Sequence, residues 1–132
     1  MVECDLVRII IDEHHDEQAI FLRESRGRRV FPIMIGIFEA TVIDRILKER
    51  TAERPLTHDL LVNAIKALGG RVTAVRIDEL REDVFYAKIV IEREGGPVQV
   101  DARPSDAIAL SLHQKTPIFV AERILDLIGK VE

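Results

Sequence analysis

The chain has no tryptophan, one tyrosine, five phenylalanines and a single cysteine. A lone Cys4 cannot close an intrachain disulfide, so the fold must stand on a hydrophobic core. No apolar run approaches the roughly 18–20 residues a membrane-spanning helix needs, because Arg, Glu and Asp interrupt every stretch. The opening Met1-Val2-Glu3-Cys4-Asp5 carries acids where a secretory leader needs a basic segment. These absences predict a cytoplasmic protein without membrane association. There is no P-loop, no Gly-rich dinucleotide fingerprint and no Cys/His zinc spacing, which removes the common nucleotide and zinc classes. A basic excess is missing too: the net charge of −4 argues against a nucleic-acid binder held by charge alone.

What is present fits one domain over residues 1–132, with 47% apolar and 32% charged residues. The charge is uneven. Between Arg23 and Arg54, eight basic residues face five acids, a local excess of +3. Four arginines between Arg23 and Arg29 either neutralise phosphates or simply solvate a hairpin turn.

Periodicity predicts an α+β fold: a mixed, mostly antiparallel sheet with helices packed against it. Val2–Ile11 alternates as a strand but changes phase near Leu6–Val7, which predicts a β-bulge. Asp12–Glu17 turns the chain into a strand at Gln18–Arg23, and Ser25–Arg28 turns it into Val30–Ile35. Pro32 keeps that third strand near an edge or an irregularity. Helical spacing then follows from Phe38 to Leu47, with a polar loop Lys48–Glu53. A second helix starts at Thr57, its expected N-cap, and ends at Gly69-Gly70. Val72–Asp78, Val84–Glu92 and Val98–Asp101 read as a meander. A helix over Pro104–Gln114, a strand Ile118–Val120 and a helix Glu122–Ile128 complete the chain. Ile33-Met34-Ile35 before Glu39-Ala40 echoes Val98-Gln99-Val100 before Asp106-Ala107, suggesting a weak internal duplication of a strand-group and helix.

Two polar junctions stand out, Arg54-Pro55-Leu56-Thr57-His58-Asp59 and Asp101-Ala102-Arg103-Pro104-Ser105-Asp106. Pro at the first helical position and an acid in the first turn are helix-start chemistry, with Asp106 expected to reach back to a backbone N–H. Capping does not explain Arg103, because a cation at a helix N-terminus is unfavourable unless it meets an anion. That anion is either Asp101 or Asp106 in an internal fork, or a bound phosphate. His58 is similarly surplus to capping and suits acid–base work. Glu39, in the first turn of the first helix, has the same double reading. Asp12-Glu13-His14-His15-Asp16-Glu17 holds metal-ligand residue types, but neighbours in a turn diverge. Cys4 is expected to be a packed thiol.

At these residues the chain resembles the bifunctional nuclease domain family. The resemblance is carried by Pro32-Ile33-Met34-Ile35-Gly36 with Glu39-Ala40, by Arg54 to Leu60, and by Asp101 to Leu110 with Pro117-Ile118-Phe119-Val120. It spans nearly the whole chain. It implies an α+β domain that self-associates, a dimer being favoured, and that degrades DNA and RNA with low sequence specificity. Some members carry a further C-terminal helical module, which this sequence, ending at Glu132, is expected to lack. For phosphodiester cleavage, Arg54 and Arg103 are the candidates for binding phosphoryl oxygens and His58 for general base or acid. Glu39, Asp59, Asp101 and Asp106 are candidate catalytic carboxylates, able to hold a divalent ion that activates water. The rival expectation is a non-enzymatic binding or regulatory module whose Arg-Pro junctions hold a small anion or brace the fold.

Overall fold

In the computed structural model, which describes every residue except Glu13, alternating apolar residues build the strands and 3.6-residue patterns the helices. The order is β1 (Val2–Ile10), β2 (Glu17–Glu24), β3 (Arg29–Gly36), α1 (Ile37–Leu47), α2 (Thr57–Ala67), β4 (Arg71–Arg81), β5 (Val84–Glu92) and β6 (Val98–Ala102). Then follow α3 (Pro104–Gln114), β7 (Ile118–Val120), α4 (Glu122–Ile128) and β8 (Lys130–Val131). The strands form one open sheet ordered β6-β5-β4-β7-β1-β2-β3-β8. Among the described residues every pairing is antiparallel except β4 with β7. The α+β class, mostly antiparallel, is as the sequence predicts.

The topology gives the internal echo a concrete form. Three antiparallel strands lead into a helix twice, as β1-β2-β3-α1 and as β4-β5-β6-α3. Each helix carries an acid in its first turn, Glu39 in one and Asp106 in the other. Within the sheet the two meanders meet through β7, which pairs with β4 on one side and β1 on the other.

The period-2 pattern puts Gln18, Ile20 and Leu22 of β2 and Phe31, Ile33 and Ile35 of β3 on the inner face, all buried. The phase change in β1 is a register shift between Leu6 and Arg8, and β4 has two more. On the inner face, α3 is the central helix: Ala107, Ile108, Ala109 and Leu110 are each no more than 1% exposed. It packs against α1, β4 and β5. Curling of the sheet brings Phe31 of β3 within 5.9 Å, ring centre to ring centre, of Phe85 on β5. The buried Gln18 side chain donates to the carbonyls of Asp12 and His15 at 2.9 Å each and accepts from the Asp12 N–H, which organises the turn before β2.

Several local readings are corrected. Thr57 is the first helical residue, not the cap. Leu56 occupies the N-cap position, and Asp59 accepts the Leu56 N–H at 2.9 Å from three residues on. Leu56 has no side-chain acceptor for the helix N–H groups, and the Asp59 carboxylate supplies the other half of a capping box by accepting the Leu56 N–H. Asp106 does not reach back to the backbone; its acceptors are taken by side chains described below. The two-residue β8 is an addition to the expected elements; Lys130 and Val131 pair with Val30 and Arg29. The rest of β3 is left as an edge, where Pro32, lacking an N–H, sits without loss. Arg29 is not a free phosphate ligand: it binds Glu24, Glu122 and Asp126 at 2.7–3.0 Å, pinning α4 to the β2–β3 turn. These bonds hold the Glu24 carboxyl below, and the Arg29 guanidinium above, their ordinary pKa ranges.

Candidate functional site

Because α1 packs on α3, the two strand-to-helix junctions meet in space. Arg103, at the N-cap of α3, is extended (φ −68°, ψ 148°), and Pro104 follows at the first helical position. The Arg103 side chain folds onto its own helix start: Nε donates to Asp106 Oδ2 at 2.8 Å and Nη2 to Oδ1 at 3.2 Å. Its Nη1 lies 3.9 Å from Glu39 Oε1. Glu39 occupies the space over Gly36, where a Cβ would collide with the carboxylate oxygen, so glycine lets the acid fold back over its own helix start. His58, in the first turn of α2, brings Nε2 to 3.0 Å from Asp106 Oδ1.

Asp106 is thus shared between a guanidinium and an imidazole. Burial pushes its carboxyl pKa up, but the hydrogen bonds from Arg103 and His58 and their charges pull it further down, to below the usual range. Arg103 is held above its ordinary value, first by the Asp106 bond. The pair is therefore ionised at neutral pH. Exposure separates the roles: the His58 and Asp106 side chains are 16% and 28% exposed, Arg103 63%. The first two sit in the wall, and the guanidinium keeps N–H donors open to an anion.

Three hollows converge on Arg103. A cleft of about 870 Å³ lies between the free edge of β3 (Pro32 to Gly36) and the start of β5. A second, about 610 Å³, lies between α2 and β5–β6; His58, Asp106 and Arg45 rim it, and Leu61, Ile65, Ile89 and Ile91 form its walls. Arg103 and Asp101 line both. A small hollow of about 70 Å³ gathers Phe38, Glu39, His58, Arg103 and Asp106.

The structure brings Glu39, His58, Arg103 and Asp106 together, with Asp101 exposed at the boundary of the two large clefts. It does not bring Arg54 there: that residue is exposed in the loop before α2 and lines none of these hollows. Asp59 points elsewhere as well. Its Oδ1 lies 2.7 Å from His113 Nε2, in a separate hollow with Arg45 and Arg50. The Leu56 N–H above all, and then His113, hold the Asp59 carboxyl below its usual range. Two reciprocal His–Asp contacts therefore bridge α2 and α3: His58 to Asp106, and His113 to Asp59. Sequence reasoning misses His113 and Arg45. His113 is seven residues after Asp106, two turns along the same helix, and that spacing is the available signal.

Among the described residues no group of three or more His, Cys, Asp or Glu side chains is arranged to hold a metal ion, so Glu39, Asp59, Asp101 and Asp106 do not form a shared cage. The Asp12–Glu17 turn forms none either among its described members; Glu13 lies outside them. Cys4 is buried in β1, and burial first, then Glu24 and Asp5, pushes its thiol up to about 12. No helix of the described residues is long and apolar enough to cross a membrane.

Known proteins offer four points of comparison. The sequence pattern of the bifunctional nuclease domain matches residues 20–132. An uncharacterized protein of Mycobacterium tuberculosis is 40% identical over 131 residues, covering 98% of this chain and 77% of its own length. Bifunctional nuclease 1 of rice, Oryza sativa, is 28% identical over 115 residues, covering 84% of this chain and 34% of its own length. Bifunctional nuclease 2 of the same species is 26% identical over 114 residues, covering 83% of this chain and 35% of its own length.

Proposed function

The chain belongs to the bifunctional nuclease domain family, and from that premise we propose that it hydrolyses phosphodiester bonds of DNA and RNA with low sequence specificity at the Arg103–Asp106–His58 site. One observation carries the reading: a mostly exposed guanidinium, oriented by a half-buried carboxylate, stands next to an imidazole held by the same carboxylate. Phosphodiester cleavage asks for those parts, a fixed cation for the phosphoryl oxygens and a group that accepts the proton of the attacking water.

In this reading Arg103 engages the phosphate through the N–H groups that Asp106 leaves free. The Asp106 bond keeps the His58 ring proton on Nε2 and presents the Nδ1 lone pair as the base. Water attacks phosphorus as the bond to the departing sugar oxygen breaks. Nδ1 takes the water proton, and the departing oxygen is protonated from the open cleft. Asp106 is a positioning residue, Glu39 aligns the far side of Arg103, and Asp101 sits where a strand would pass from one cleft to the other. The described carboxylates do not form a cage for a metal ion, and none of these steps runs through one.

A second reading has its own support: both carboxylate oxygens of Asp106 are already bonded within the chain, as a structural brace requires. The test is cleavage of a fluorophore-labelled oligonucleotide by highly purified protein, with and without chelator, for wild type, Arg103→Ala, His58→Ala and Asp101→Asn. Nuclease function predicts activity lost in Arg103→Ala and His58→Ala with Tm lowered by no more than about 4–8 °C. Activity identical in all variants would mark a contaminant. Wild type without activity, with Arg103→Ala and His58→Ala unfolding at much lower temperature, would mark a brace.

A further inference from the structure

Phe38 is the most exposed aromatic side chain among the described residues. It is 81% exposed, in the first turn of α1, beside Glu39. A phenylalanine left in water forgoes the stabilisation its ring would gain in a core. The ring does not line the large apolar cleft that holds Pro32, Met34, Val84 and Tyr86. It lines the small hollow with His58, Arg103 and Asp106, on the side where the site carries its cation. Glu39 and exposed Thr41, whose hydroxyl donates to the Ile37 carbonyl at 2.8 Å, flank it on α1, and Val42 and Ala109 are the other apolar residues of the hollow. A flat aromatic face over a hollow of only about 70 Å³, next to a guanidinium with open donors, matches one kind of occupant better than a broad apolar partner. That occupant is a nucleobase whose own phosphate binds the cation.

We infer that Phe38 is a stacking platform for the base adjoining the scissile phosphate, and hence that the preferred substrate is single-stranded nucleic acid. The inference rests on the nuclease reading of the same site. A base can lie on an aromatic face only when it has left its neighbours in a helix, so a paired duplex cannot use the platform without the cost of unstacking. Every base has a π-face, so the contact adds affinity without reading sequence. That fits cleavage of both DNA and RNA. Specificity then follows from strandedness rather than from base identity.

The absence of tryptophan from the chain supplies the test. A Phe38→Trp change in a His58→Ala background gives one indole fluorophore at the platform and suppresses hydrolysis during titration. Single-stranded oligothymidylate should quench the indole emission saturably. A blunt duplex of the same length should quench far less, as should an abasic oligomer that keeps the phosphates. In the same His58→Ala background, Phe38→Ala should weaken single-strand binding by about 10- to 100-fold, the range that base–aromatic stacking gives on alanine substitution, and should change duplex binding little. Oligonucleotide binding seen by anisotropy, with the indole emission unmoved and Phe38→Ala binding as tightly as its His58→Ala parent, would overturn the platform while leaving the nuclease reading intact. No binding by anisotropy to any nucleic acid would overturn both. A blue shift of the indole emission that grows with protein concentration and needs no oligonucleotide would also overturn the platform, assigning the ring to a contact between copies.

Discussion

Asp106→Asn isolates what the central carboxylate does, because it keeps the shape and removes the charge. An amide oxygen still accepts one hydrogen bond, but its NH₂ then confronts the guanidinium or the imidazole N–H, so the Arg103 fork and the His58 bond cannot both survive. The fork ends on a side chain that is 63% exposed, and pairs of that kind contribute about 0–1 kcal/mol. The 3.0 Å contact to His58 lies between two mostly buried side chains, and losing it costs about 1 kcal/mol. The fold should therefore lose about 1–2 kcal/mol, which for a chain of this size lowers Tm by about 4–8 °C. Activity should fall much further, by about 10²–10⁴, since a positioned acid–base group contributes on that scale. A thermal melt by circular dichroism and initial rates on a fluorogenic oligonucleotide, both below the new melting temperature, give the two numbers. The reasoning fails if the variant keeps its rate within about twofold, or if Tm drops by about 15 °C or more, far beyond what the lost contacts supply.

Other expectations follow from single features. Glu82 and Asp83, the two residues linking β4 to β5, both have positive φ (50° and 65°), the geometry of a two-residue hairpin turn that favours Asn-Gly. Glu82→Asn with Asp83→Gly should relieve about 1–2 kcal/mol of strain, read as a rise in Tm. At Gly129 a Cβ would come within 2.5 Å of the Leu125 carbonyl, so Gly129→Ala should displace β8 and lower Tm. The carboxyls of Asp59, Asp106 and Glu24 are held low in the folded state. Their stabilisation is complete above the unfolded carboxylate value, near 4, and is lost as pH falls through the lower folded values. Stability should be flat from neutral pH to about pH 5 and then decline; denaturant titrations showing a decline starting at pH 7 would contradict it. With its thiol pushed up to about 12, Cys4 should react with Ellman's reagent only after the protein is unfolded.

Local signals carry the later half of the sequence well. The bounds of α3, β7 and α4 follow from Pro104 at the first helical position, the β-branched Ile118 and Val120, and the apolar spacing of Ile124, Leu125 and Ile128. The start of α2 is easily misread because Thr57 has the right chemistry one residue too late, and the bond that marks the start runs from the Leu56 N–H to a carboxylate downstream. β8 is too short to show a period, and its pairing partner lies about a hundred residues earlier. For the site, the residue types are legible but not their grouping. Arg103 and Asp106 are three residues apart on one helix start, so their fork is a local fact that spacing reveals. That Glu39 and His58 join them depends on α1 and α2 docking over α3. The same docking sends Asp59, next door to His58, to a different partner. Neighbours in a helix diverge by about 100°, and no reading of the loop alone says which of them faces inward.

The position of β7 has a consequence for how the molecule comes into being. The first meander and its helix are synthesised by Leu47, and the second with its helix by Gln114, yet the three residues that join their strands into one sheet come only afterwards. Before those three residues are seated, half-sheets of this kind would leave the long edges of β1 and β4 unpaired. Such edges invite pairing with other chains, and a strand inserted late between distant partners closes slowly. Glu39 belongs to the first half, Arg103 and Asp106 to the second. Packing of α1 on α3 brings these residues together, and among the described residues Ile118-Phe119-Val120 is the one strand that pairs with both half-sheets, so breaking that strand should loosen the site as well as the sheet.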